Sequence, residues 1–147
     1  MKQAKPLKFL TLNECEPTEI EVPLVSSLIK AGFPSAAEDE FEAKLDLNAH
    51  LVQHPAATFF IKVSGTSMED ANIFDEDLLI VDRSLEPRDG KIIVARIGSE
   101  FTVKRLRIKK NRVILQAENP KFKSIEVNDS SEFEVWGVVT HIIHKAK

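Results

Sequence analysis

The stretch KIIVARIGSEFTVKRLR, residues 91–107, decides the fold. Two runs rich in branched and apolar residues, Lys91–Ile97 and Glu100–Arg107, flank Gly98-Ser99. Val, Ile, Thr and Phe suit a pleated surface, and a two-residue link that opens with glycine signals a β-hairpin. Working outward, similar short runs recur at Thr58–Val63, Asp77–Asp82, Arg112–Gln116, Ser124–Val127 and Glu134–Ile143. Turn signals separate them, among them Pro87-Arg88-Asp89-Gly90 and the polar Lys109-Lys110-Asn111-Arg112. Strands at this density predict a mainly β fold, built as a curled and mostly antiparallel sheet.

Upstream the pattern changes. Between Glu38 and Leu51 the apolar residues Phe41, Leu45 and Leu51 follow a helical period, with Asp46 as a fresh cap inside the stretch. One or two short helices are expected there. Gly32-Phe33-Pro34-Ser35 breaks the chain ahead of them. Residues 1–31 read as an extended arm, because Pro6, Pro17 and Pro23 forbid a long continuous helix. Leu7, Phe9, Leu10 and Leu12 should dock part of that arm on the body. Val25–Lys30 is apolar enough to present itself as an extended strand. The organisation expected is an arm over 1–31 and a β domain over 32–147.

Bulk properties narrow the function classes. A length of 147 residues suits one domain, and 43% hydrophobic residues can fill its core. The net charge of −3 argues against a strongly basic nucleic-acid footprint. The single cysteine, Cys15, has no partner for an internal disulfide, which points to a reducing, cytoplasmic setting. No signal peptide follows Met1-Lys2-Gln3-Ala4-Lys5-Pro6, and no apolar run approaches the ~18 residues of a membrane span. The four histidines, His50, His54, His141 and His144, lack metal-ligand spacing and read as surface or capping groups. Glu69, Asp70, Asp75, Glu76 and Asp77 read as a solvated acidic loop, and Phe59, Phe60 and Trp136 as core or subunit contacts.

Two residues stand apart from this background. Ser67 lies in Val63-Ser64-Gly65-Thr66-Ser67-Met68, immediately after a strand, and Lys104 lies in Phe101-Thr102-Val103-Lys104-Arg105-Leu106. Alternation puts Lys104 on the face of Leu106 and turns Arg105 and Arg107 to the other, solvent-facing side. A serine hydroxyl needs a neighbouring base before it attacks, and a buried lysine can be that base, since desolvation disfavours its ammonium form. Serine and lysine together form a recognised nucleophile–base pair. Each also has a bland reading, as a turn serine and as a solvent-facing strand lysine. Ala31-Gly32 offers small side chains to a groove, though as a dipeptide it also suits a linker.

Taken as a set, Ala31-Gly32, Ser64-Gly65-Thr66-Ser67-Met68 and Phe101-Thr102-Val103-Lys104-Arg105-Leu106 resemble the LexA/UmuD-like self-cleaving serine peptidases. The resemblance runs from about Gly32 to His144. Asp46-Leu47-Asn48, Gln53-His54-Pro55 and Asp77–Asp82 bring it closer to the UmuD type than to the LexA type. It implies Ser67 as nucleophile, Lys104 as general base, Ala31-Gly32 as the scissile bond and the amides around Ser67 and Met68 as oxyanion donors, with Met68 also lining the groove. It implies no metal and no cofactor. It further implies a homodimer that cuts itself when it meets the RecA filament on single-stranded DNA, then serves a UmuC-type Y-family polymerase in SOS mutagenesis. The sequence departs from one familiar form in having alanine, not cysteine, before the scissile glycine; Ala-Gly is the bond cut elsewhere in the superfamily. The proline-broken arm is too short for a winged helix-turn-helix, so direct sequence-specific DNA binding is not expected. A non-cleaving dimeric module that regulates a polymerase, a LexA-like transcriptional regulator and a signal-peptidase-like enzyme are the alternatives.

Overall fold

The computed structural model describes residues 20–25, 28–34 and 41–147. The docking expected of Leu7, Phe9, Leu10 and Leu12, and the position of Cys15, lie outside these residues. Two compact units separate, one over Cys15–Gln53 and a larger one containing His54–Lys147.

In the smaller unit β1 (Glu21–Val25) pairs antiparallel with β2 (Phe41–Asp46) as a two-stranded ribbon, and α1 (Leu47–Leu51) follows directly. The helical period read across residues 38–45 is thus overturned. Phe41–Asp46 is a strand because β1 supplies a partner ladder, which a period of two or three apolar residues cannot reveal. Pro23 is tolerated in β1 because a two-stranded ribbon is all edge. The cap expected at Asp46 is present: its carboxylate accepts the N–H groups of Asn48 at 3.0 Å and Ala49 at 3.3 Å. This satisfies two of the donors that a helix start leaves unpaired.

The larger unit is one antiparallel sheet of seven strands: β3 (Thr58–Lys62), β4 (Leu78–Asp82), β5 (Ile92–Ile97), β6 (Glu100–Lys109), β7 (Arg112–Gln116), β8 (Ile125–Val127) and β9 (Phe133–Ile143). Their order across the sheet is β3-β4-β9-β5-β6-β7-β8, and the sheet does not close. The β5–β6 hairpin turns at Gly98-Ser99, with Gly98 at φ +59°. Glycine takes this left-handed backbone without steric cost.

β9 joins the two halves. Its first part pairs with β5 through Ile93↔Val138, and its last part pairs with β4 through Leu78↔Ile143. The register slips on both sides, so Trp136 and Thr140 are each an extra residue in β9. Such bulges sharpen the right-handed twist and curl the sheet. Successive β5 residues then feed two separate cores. Val94 joins Ile61, Met68, Ile73, Leu79 and Val81, while Ile93 and Ala95 join Leu106, Leu115 and Val138. Trp136 packs edge-on against Phe59 and Phe101, as core aromatics should. At the far end of β4, His54 Nδ1 lies 2.6 Å from the buried Asp82 carboxylate. This gives His54 a specific partner that the surface reading missed.

Gly137 sits between the two bulges with neighbours pressed against it. A Cβ there would lie 2.6 Å from Val81 Cγ1 and 3.2 Å from the Asp82 carbonyl oxygen. Val81 is itself fully buried and cannot yield. Gly137→Ala should therefore destabilise the protein by about 1–3 kcal/mol, the usual cost of overpacking. The check is the urea midpoint, which should fall with the slope of the transition unchanged. An unaltered midpoint would mean that β4 and β9 can separate freely at this crossing.

Candidate active site

Ser67 is carried by the loop between β3 and β4. The loop is closed at its base by Val63 N–H to Asp77 O at 2.8 Å and Glu76 N–H to Val63 O at 2.9 Å. Its interior is tied down by Met68 and Ile73, both packed in the core. Gly65, at φ +100°, makes the sharp turn two residues before the serine. The Gly65 N–H donates to the Asp75 carboxylate at 2.8 Å. The acidic stretch is thus only partly a solvated loop. Asp75 pins the turn, and the buried Asp77 accepts the Phe74 N–H at 2.8 Å.

Lys104 stands in the middle of β6, directly opposite the fully buried Ile93. Its residue exposure is 8%, and Leu106 on the same face is also buried. Alternation therefore places Lys104 as expected, but not its charged neighbours. Arg105 and Arg107 are half-buried, Arg105 Nη1 donating to Gly90 O at 2.7 Å and Arg107 Nε to Gln116 Oε1 at 2.9 Å.

The structure brings Lys104 Nζ to 3.1 Å from Ser67 Oγ. The same nitrogen contacts Thr102 Oγ1 at 2.9 Å and Val103 O at 3.0 Å. No carboxylate lies within ion-pair distance of it among the described residues. Burial without a counter-charge pushes the Lys104 pKa below its ordinary 10.5. A neutral amine has two N–H donors and one lone pair. Val103 O can only accept, so it takes an N–H; the two hydroxyls can turn to give or receive. With one N–H on Val103 O and the other on Thr102 Oγ1, the lone pair faces the Ser67 hydroxyl.

Ala31 and Gly32 belong to the smaller unit. They lie in a bend where residues 28–34 are all exposed. Of the predicted extended run, Val25 is in β1 and residues 28–30 are in no strand. Met68 is 2% exposed and part of the core, so its side chain lines no groove. Sequence reading passed over Thr102, whose signal was its place two residues before Lys104 on the same strand face. It also passed over Asp75, Glu118 and Asn119, which meet the serine loop only through the folded chain.

A family described as "Peptidase S24-like" matches residues 23–140. The chain belongs to the peptidase S24-like family. The chain is 41% identical to protein SamA of Salmonella typhimurium over 139 residues, 95% of this chain and 96% of that one. It is 46% identical to protein MucA of Escherichia coli over 121 residues, 82% of each. Against the LexA repressor of Pseudomonas chlororaphis it is 43% identical over 115 residues, which cover 78% of this chain and 56% of the repressor. The LexA/UmuD-like resemblance read from the motif residues is correct, and with it the class of serine peptidase. No described helix is long and apolar enough to cross a membrane.

The buried lysine has a thermodynamic consequence. Its pKa is lower folded than unfolded, so between the two values the unfolded chain binds more protons and stability rises with pH. Below that window the enclosed ammonium costs stability; above about 10.5 it costs nothing. Lys104→Met should therefore raise the urea midpoint at pH 7, with the gain shrinking as pH approaches 10.5. A methionine variant less stable than the parent at pH 7 would show that the three hydrogen bonds of Nζ outweigh its desolvation.

Proposed function

We propose that this S24 family member is a UmuD-like SOS mutagenesis protein that activates itself by cutting its own chain between Ala31 and Gly32. The observation that carries the reading is the 3.1 Å contact between Ser67 Oγ and the enclosed Lys104 Nζ, which no carboxylate neutralises among the described residues. Neutral Lys104 takes the proton of Ser67 as Oγ attacks the carbonyl carbon of Ala31. The N–H groups of Ser67 and Met68 stabilise the oxyanion. The lysine ammonium then protonates the Gly32 nitrogen as the peptide bond breaks, leaving Ala31 as an ester on Ser67. Water, deprotonated by the same lysine, hydrolyses the ester. Residues 1–31 leave as the arm, and 32–147 remain as the peptidase domain.

Reach supports the geometry. Gly32 precedes Ser67 by 35 residues. At ~3.3 Å per extended residue this tether can bring the bond to the serine of its own chain or of a second copy in a homodimer. The small side chains of Ala31 and Gly32 let an extended backbone approach the serine closely. A RecA filament on single-stranded DNA would promote cutting by favouring the engaged arm, a population shift that adds no new chemistry. The shortened homodimer would then act in the cytoplasm with a UmuC-type Y-family polymerase.

Intact mass after incubation with RecA, single-stranded DNA and nucleotide tests the reading. A fragment that begins at Gly32 is expected from the parent and from neither Ser67→Ala nor Lys104→Ala. Gly32→Glu should block the cut by filling the space that the bond must enter. A polymerase-regulating module that does not cleave would leave all four proteins intact.

The pH dependence gives a second check, without the filament. Only the neutral lysine acts as base, so the rate should rise about tenfold per pH unit while Lys104 is mostly protonated. Because burial lowers its pKa, the rate should level off at a pH below 10.5. A rate with no rising limb at any pH below 10.5 would exclude lysine as the base.

A further inference from the structure

The segment after β7 has no part in the proton chemistry, yet it holds the serine loop at three points. The Glu118 N–H donates to Ser67 O at 2.9 Å, and Glu118 O accepts the Asp70 N–H at 2.8 Å. The Asn119 Nδ2 donates to Thr66 O at 2.8 Å. The carboxamide is fixed in turn, because Asn119 Oδ1 accepts the Lys121 N–H at 3.0 Å. Glu118 is braced from β6. Its carboxylate accepts from Arg105 Nε, in a pair whose side chains are only 24% and 18% exposed. The same guanidinium donates to Gly90 O.

The consequence follows from peptide geometry. A trans peptide unit is planar, with its C=O and N–H pointing in opposite directions. Thr66 O held toward Asn119 turns the Ser67 N–H away from that segment. Ser67 O held toward Glu118 turns the Met68 N–H away likewise. Neither N–H has a hydrogen-bond partner among the described residues. Two consecutive carbonyls are thus captured by two consecutive residues, and the two amides left open are those of Ser67 and Met68.

We propose that Asn119 and Glu118, the latter braced by Arg105, are positioning residues for self-cleavage: they set the peptide planes on both sides of Ser67 so that its amide and that of Met68 meet the oxyanion. The inference rests on the self-cleavage reading above and extends it to residues outside the serine and lysine. Arg105 directly follows Lys104, so the strand that carries the base also braces the carbonyl of the nucleophile. Loss of a whole oxyanion donor slows catalysis about 10²–10³-fold. Loosening the planes should therefore slow the plateau rate roughly 10–100-fold, by the same principle.

The test measures self-cleavage by intact mass from pH 7 to 10.5 without the filament, alongside urea midpoints. Asn119→Asp keeps the acceptor for the Lys121 N–H and loses only the donor to Thr66 O. Asn119→Ala adds no charge near Lys104, so it carries the pH readout. Both should cut at a plateau roughly 10–100-fold below the parent. Asn119→Ala should keep the parent's pH midpoint, which belongs to Lys104. Should either variant unfold, Arg105→Gln loosens the brace from the other side and gives the same readout. An unchanged plateau overturns the inference; so does a slower rate traced to a shifted pH midpoint, which would place the effect on Lys104. A parent that cuts while the variants match it removes this inference alone. A parent that cuts neither at any pH nor with the filament removes the self-cleavage reading with it.

Discussion

Everything in the site depends on enclosing one lysine without a counter-charge. An ammonium taken out of water is costly, and a carboxylate beside it would relieve that cost by fixing the charge. Such a carboxylate would also raise the lysine pKa and end its use as a base. The fold takes the other course. It surrounds Lys104 Nζ with two hydroxyls and a carbonyl, which satisfy N–H groups without stabilising the ammonium as an anion would. The carboxylates that hold the serine loop and its brace are engaged with other groups: Glu118 with Arg105, Asp75 with the Gly65 N–H, and Asp77 with the Phe74 N–H.

The sheet makes that enclosure possible. Lys104 faces Ile93 across the ladder because the β5–β6 register is set by the two-residue turn at Gly98-Ser99. A slip of one residue would put Val103 opposite Ile93 and send the lysine to the other face. The curl that β9 imposes through its bulges allows one sheet to bury side chains on both faces. One core holds Met68, and so the serine loop; the other holds Leu106 and Ile93, and so the surroundings of the lysine. Ser67 and Lys104 are thus seated in different cores and meet through the curl of the strands between them.

That division explains what could be read from the chain. The seven strands of the larger unit were legible because each is a local run of β-formers bounded by turn residues. Lys104 was legible as the enclosed lysine chiefly through the family resemblance, to which the period of two added modest support. Phe41–Asp46 was misread as helix because its pairing with β1 is a non-local fact, while Phe41 and Leu45 satisfy a helical spacing by coincidence. The half-burial of Arg105 was invisible for a similar reason: its partner, Glu118, lies 13 residues on, beyond β7. Met68 was assigned to the groove because it follows the serine, whereas the loop turns its side chain inward to serve as an anchor. Residues whose role depends on distant chain, such as Asn119 with Thr66, carry no local pattern at all.

The proposed reaction then has two independent requirements, a neutral lysine and an engaged arm, and their populations multiply. Burial sets the first, and it is a property of the folded domain alone. The second is an equilibrium of the arm, which a partner can shift only by favouring the engaged state. If the lysine were fully neutral at physiological pH, arm engagement would be the sole restraint on cutting, and any fluctuation of the arm would be irreversible. The absent carboxylate thus leaves the lysine pKa lowered by burial, and engagement of the arm decides when the proposed chemistry can proceed.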